Sequence, residues 1–279
     1  MLGPADGRYV LRGHAGEPEH VLVLETIGAP AKQRRKLFGA RKRGGGAVDG
    51  GRAEPSPAIS SVPVTVATLV GATPLGDLDD AAAWLAGAAL EAEVATAVDV
   101  LNRVLHAQRV VRADPFVREI APEQALAIRV GVGSGEEVAH GHWEDALYVD
   151  PRALAVERRA HALRPQERFA ALLAGRDVAL AAEELTLRAR LDLDRGRTRE
   201  AALQVRVALE AALSELQAWS HHAELARRLA ELREERGPIG AAANRALEGG
   251  LEPGQIEDVE RTVARLEAAL TARVAGGLE

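Results

Sequence analysis

The chain has no cysteine and a single methionine among its 279 residues. Without thiols there are no disulfides and no thiolate-ligated structural zinc, a composition that fits a reducing compartment. Aromatic side chains are scarce too: Phe38, Phe116, Phe169, Tyr9, Tyr148, Trp84, Trp143 and Trp219 are the full set. A core must therefore be assembled from Leu, Val and abundant Ala, which suits helices at close approach. Lysine is nearly missing, 3 residues against 32 arginines, an imbalance we attribute first to a GC-rich genome and only second to bidentate recognition. Long apolar runs are missing as well. Residues 1–25 hold no cationic start followed by an uninterrupted apolar stretch, and the Ala-rich tract Ala81 to Leu101 is broken by Glu91, Glu93 and Asp99. The expectation is a cytoplasmic chain with neither signal peptide nor transmembrane segment.

What is present is unevenly placed. The formal charge of −6 hides a basic start, because residues 1–60 hold ten Lys or Arg against six acids. Most of that excess is Lys32, Arg34, Arg35, Lys36, Arg41, Lys42 and Arg43, seven cations in twelve residues, followed by Gly44-Gly45-Gly46, Gly50-Gly51, Pro55 and Pro57. Such a segment has too little apolar surface to offset its ordering entropy, so residues 30–60 read as a disordered basic linker. Its functional reading is an arm for nucleic acid or anionic lipid, and its plainer reading is a solvated tether. Beyond Phe38 it has no aromatic residue on which bases would stack.

Around this linker the pattern is β-favouring. Arg8 to Arg12 and Val21 to Ile27 are short β-rich runs predicted to pair as a hairpin, and Val62 to Val70 is predicted to supply a third strand. Asp77 or Asp79 then caps a helix running to about Val110, with Trp84, Leu85, Val94, Val98, Leu101 and Leu105 on its apolar face and a bend near Gly87. Leu126–Val132 and Val138–Val149 are predicted to form a second hairpin across Gly131-Val132-Gly133-Ser134-Gly135. A Gly-x-Gly-x-Gly after a strand invites a phosphate-binding reading. Glu136 and Glu137, the missing helix and the missing Walker lysine favour a glycine-rich turn instead.

From Asp150 onward the period is helical. Asp150-Pro151 predicts a helix to about Leu163. Pro165 to Gly237 reads as one nearly unbroken helical tract folded back at Asp194-Arg195-Gly196-Arg197, with Gly196 as left-handed cap and Thr198 capping the return helix. Leu173, Leu180, Leu187 and Leu191 are expected to bury against Leu203, Val207, Leu213 and Leu216. Trp219 to His222 is expected to interrupt the return helix, a stripe resumes at Leu225, Leu229 and Leu232, and Gly237-Pro238 is expected to end it. Past Gly249-Gly250, the residues Ile256, Val259, Val263, Leu266 and Leu270 form an a/d seam, for docking on the chain's own bundle or for a homodimer through the C-terminal helix. The run Ala189 to Leu203 resembles the turn region of a tetratricopeptide-type helix pair. The resemblance covers about fifteen residues with no second copy at the 34-residue period, so it implies close helix packing and no solenoid.

Chemistry-bearing constellations are few. His140 and His142 would share one side of a strand near Glu136, Glu137, Glu144 and Asp145, a candidate His-x-His metal pair that needs further ligands from elsewhere, with His161 and His221-His222 as the remaining imidazoles considered. Ser134 does not sit in the Gly-x-Ser-x-Gly frame of a nucleophile elbow. No cofactor is expected. The sequence thus predicts a mostly α-helical α+β protein: a β-hairpin over 1–29, a linker over 30–60, a mixed part over 61–149 and a helical bundle over 150–279. The leading functional expectation is a non-enzymatic protein-interaction or scaffold protein acting through the bundle. The alternatives are a nucleic-acid-associated protein using residues 32–43 and a metal-dependent hydrolase using His140 and His142.

Overall fold

The computed structural model describes residues 4–13, 15–28, 62–154 and 165–275. The chain is α+β and mostly helical, with small antiparallel sheets in the N-terminal half and helices in the C-terminal half. It divides into two compact units, Met1–Ala155 and Val156–Glu279. The basic run Lys32 to Arg43 and His161 lie outside the described residues.

In the first unit β1 (Gly7–Arg12), β2 (Pro18–Ile27) and β3 (Val64–Gly71) form an antiparallel sheet in the order β1-β2-β3, the three-stranded arrangement expected from the pattern. The central strand buries Leu22, Val23 and Leu24 in succession, so both of its faces are covered. Asp77 caps α1 (Leu78–Gly87) by accepting from the Asp79 and Asp80 amides, and the Asp80 carboxylate reaches back to the Asp77 amide. The bend expected near Gly87 is a full break. Helix α2 (Leu90–Arg112) leaves α1 at 97°. Among the described residues no single helix is long and apolar enough to cross a membrane. Asn102 of α2 is fully buried and clips the following loop, its amide donating to the Ile120 carbonyl and accepting from the Ile120 N–H, both at 2.8 Å.

β4 (Ile128–Val132) pairs antiparallel with β5 (Asp145–Val149). The second hairpin exists, but with a longer connection than the glycine pattern suggested: Glu136–His140 form a 3-10 turn, so the strand expected from Val138 begins only at Asp145. Leu126, expected inside a strand, is 79% exposed and precedes it. The glycines answer to packing. A Cβ on Gly131 would strike the Trp143 ring and come within 2.5 Å of the Asp145 carbonyl, and Gly135 takes a left-handed φ of 71°.

In the second unit the long tract read as two helices is several. Helix α3 (Pro165–Leu173) stops at Gly175, whose φ of 67° lets the Gly175 and Arg176 amides bond back to the Leu172 and Ala171 carbonyls. α4 (Ala181–Asp194) then turns through Gly196 by the same geometry, with Gly196 N–H to Leu193 O and Arg197 N–H to Asp192 O at 2.9 and 2.8 Å. The left-handed cap expected at Gly196 is present. The cap expected from Thr198 is not: Thr198 is the first residue of α5 (Thr198–Glu215), and its N-terminus has no side-chain cap. A 3-10 turn over Leu216–Trp219 and a break precede α6 (Ala223–Glu234), interrupting the return helix where expected. Gly237-Pro238 does not end a helix. It sits in the first turn of α7 (Arg236–Glu248), where proline's missing N–H has no intrahelical acceptor to lose. α8 is Pro253–Ala275.

The largest correction concerns which face is buried. Leu187, Leu191, Leu203 and Val207 are 66%, 41%, 36% and 55% exposed, and Leu173 is 74% exposed. The buried sides of α4 and α5 carry instead Ala182, Ala189, Ala201, Ala202, Ala208 and Ala212, each at 0%, with Val205 and Leu209 among them, all in one core cluster. Methyl side chains let two helix backbones approach closely, and close approach compensates in contact for what each residue lacks in size. At 100° per residue Leu187 and Leu191 fall roughly opposite Ala182 and Ala189, so core and Leu stripe cannot share a side. The stripe Leu225, Leu229 and Leu232 is buried as expected. Val259, Val263, Leu266 and Leu270 of α8 bury in the same cluster. The seam offered for a homodimer is thus occupied within the chain.

Candidate functional site

Two polar assemblies stand out, one in each unit. In the first, the 3-10 turn carrying His140 is tied to the three-stranded sheet. His140 Nδ1 lies 2.5 Å from Glu25 Oε1, Arg8 Nη2 lies 3.3 Å from His140 Nε2, and Arg8 Nη1 donates to Glu136 Oε2 at 2.5 Å. Arginine only donates, so the Nε2 contact calls for a lone pair there and places the ring proton on Nδ1, facing Glu25. His142 follows Gly141, whose φ is 75°, and pairs instead with Glu137 at 2.8 Å. The two histidines therefore do not share one side of a strand, since the local backbone is a 3-10 turn ending in a left-handed glycine. Among the described residues no group of three or more His, Cys, Asp or Glu side chains is placed to hold a metal ion. Ser134 donates to Glu144 Oε1 at 2.6 Å. The rings of His221 and His222 lie 4.1 Å apart, tilted by 40°, at the break before α6.

The assembly in the second unit was not foreseen. The Gly175 turn delivers Asp177 inward, where its side chain is 4% exposed. Its Oδ2 accepts from Arg168 Nε at 3.1 Å, and its Oδ1 accepts from Arg273 Nη2 at 2.6 Å and the Val178 N–H at 2.8 Å. Arg168 Nη2 also donates to Glu183 Oε1 at 2.6 Å, and the other Glu183 oxygen accepts from the Leu180 N–H at the start of α4. The Arg273 guanidinium, 4% exposed, lies 4.6 Å from the centroid of the Trp219 ring, a cation–π contact strengthened by desolvation. Two cations and two anions thus join α3, the following loop, α4, the 216–219 turn and the end of α8.

Burial alone would raise the Asp177 pKa. The Val178 N–H and the Arg168 and Arg273 guanidinia outweigh it and hold the carboxyl below its ordinary value. Burial likewise opposes the Arg168 charge, and its pairing with Asp177 and Glu183 raises its pKa regardless. Asp177 is therefore ionised throughout the neutral range and is no general base or acid there. One defect remains: Arg273 Nε and Nη1 are buried without a hydrogen-bond partner, Nη1 lying 3.5 Å from Glu183 Oε1.

No family model, curated protein or solved structure matches this chain. Function must then be read from its own surfaces. Glu235, 5% exposed, is held by Arg265 and Arg261 and accepts from the Thr262 hydroxyl at 3.0 Å. Like Asp177, it is held by charges within the fold and directed at other helices. Among the apolar side chains of the second unit that look outward are two i,i+4 steps on neighbouring helices, Leu187/Leu191 on α4 and Leu203/Val207 on α5. Sequence reasoning found these residues and assigned them to the wrong side. Asp177 and Arg273 stand 96 positions apart, and no local spacing announces such a pair.

Proposed function

We infer that the chain is a non-enzymatic cytoplasmic protein whose helical unit binds another protein through the outer side of α4 and α5. The observation carrying this reading is the exposure of Leu187, Leu191, Leu203 and Val207, apolar side chains turned from a core that alanine already fills. Single exposed leucines are ordinary, whereas two helical-turn pairs on adjoining antiparallel helices favour an amphipathic contact. The test is capture of partners from native extract by the full chain and by a variant carrying Leu187→Ser, Leu191→Ser, Leu203→Ser and Val207→Ser, with folding checked by circular dichroism. Loss of a protein captured by the parent chain supports the reading. Identical capture by a folded variant overturns it.

A second reading rests on the seven cations between Lys32 and Arg43, which would give salt-dependent nucleic-acid binding. Neutralising those seven residues and measuring affinity for a mixed-sequence oligonucleotide at two salt concentrations separates the two. Unchanged affinity and salt slope would remove the nucleic-acid reading.

A further inference from the structure

We propose that α3 and the loop to Leu180 form a detachable flap on the helical unit, latched by ionic contacts where the other helices are held by apolar packing. Helix α3 has nine residues, and Phe169 and Leu173 are 59% and 74% exposed. Ala171 is its buried apolar residue, and among the described elements no other helix packs extensively along it. An isolated helix of this length has no stability of its own in water. Arg168 anchors it, reaching Asp177 and Glu183, with Asp177 fastened in turn to Arg273 near the end of α8.

The latch is separable from the core by construction. Elements α4 to α8 meet through residues with no exposed surface, such as Ala208, Leu229, Ile239 and Leu266, and none of these belongs to the ionic cluster. Arg273 enters the cluster with its buried Nε lacking a hydrogen-bond partner and its Nη1 held only by a long 3.5 Å ion pair to Glu183, so the closed state leaves part of its hydrogen-bonding demand unmet. Few buried apolar contacts and an under-satisfied polar anchor are the marks of a segment that opens locally, ahead of global unfolding.

Hydrogen exchange of the full chain, read by mass spectrometry over 165–180, 201–213 and 253–275, tests this. In the parent chain, amides of 165–173 should exchange at least about 100-fold faster than those of 201–213. Arg168→Leu severs only the α3 arm. It should bring 165–173 to within about tenfold of unprotected rates while leaving 201–213 unchanged. Asp177→Asn removes the charge that Arg168 and Arg273 share while leaving Arg168 on Glu183, and should also loosen the last turn of α8. Equal protection of α3 and α5 in the parent chain would overturn the proposal. So would α3 exchange unmoved by Arg168→Leu, or loss of protection over 201–213 in either variant, since the cluster would then be sustaining the bundle as a whole.

Discussion

Replacing Ala189 by leucine inverts the usual expectation that added apolar surface stabilises a helix pair. Ala189 has no exposed surface and belongs to the same buried cluster as Ala201, Ala202 and Val205. Three further carbons must displace backbone or drive neighbours from their rotamers, which costs about 1–3 kcal/mol and more where the backbone cannot retreat. For a unit of this size that lowers the unfolding temperature by roughly 4–15 °C. The control is Leu187→Ala, which removes three carbons from a side chain 66% exposed. Surface changes of this kind stay within about 0.5 kcal/mol. Thermal and urea unfolding followed by far-UV circular dichroism, with exchange over 201–213 reporting the helical unit, measures both. A Leu187→Ala loss as large as that of Ala189→Leu would refute the assignment of core and surface on α4.

Other outcomes follow from the polar contacts. Asn102→Ala should destabilise the first unit by roughly 1–3 kcal/mol, because two hydrogen bonds to the half-buried Ile120 backbone are lost, each contributing about 0.5–1.5 kcal/mol; urea titration measures it. The depressed Asp177 pKa makes its contribution complete above the unfolded carboxylate value of about 3.9. That contribution disappears as pH falls through the lower native value, so Asp177→Asn should flatten the acid limb of stability below about pH 4 and leave its shape near neutrality unaltered. Gly131→Ala should weaken the β4–β5 hairpin, since the new methyl meets the Trp143 ring and the Asp145 carbonyl; a red-shifted tryptophan emission would report the displaced indole.

Sequence reasoning reached those parts of the fold whose cause is local. Asp77 heads α1 because a carboxylate two and three residues ahead of free amides caps them. Gly196 turns the chain because glycine tolerates positive φ, and the β1–β2–β3 order follows from consecutive β-branched runs. The errors came where alanine decides. Its methyl satisfies an interior or a surface equally, so leucine periodicity, right at Leu180, Leu213 and Leu216, led to the solvent side at Leu187, Leu191, Leu203 and Val207. Pro238 misled for a related reason, since proline ends a helix from within and is harmless in its first turn. The Asp177–Arg273 pair and the two tethers of His140 depend on contacts between distant segments, which neither spacing nor composition encodes.

Glu235 stands at the junction of α6 and α7, closing one helix and opening the next with no intervening loop. Its carboxylate is gripped by Arg261, Thr262 and Arg265 of α8, so the elbow is pinned from a third side. Extra residues spliced in at this point would have to swing one of three rods or tear the grip, whereas the Gly249-Gly250 connection leaves slack. Insertional mapping of the helical unit should accordingly find a sharp forbidden spot at 235, only fifteen positions from a permissive one.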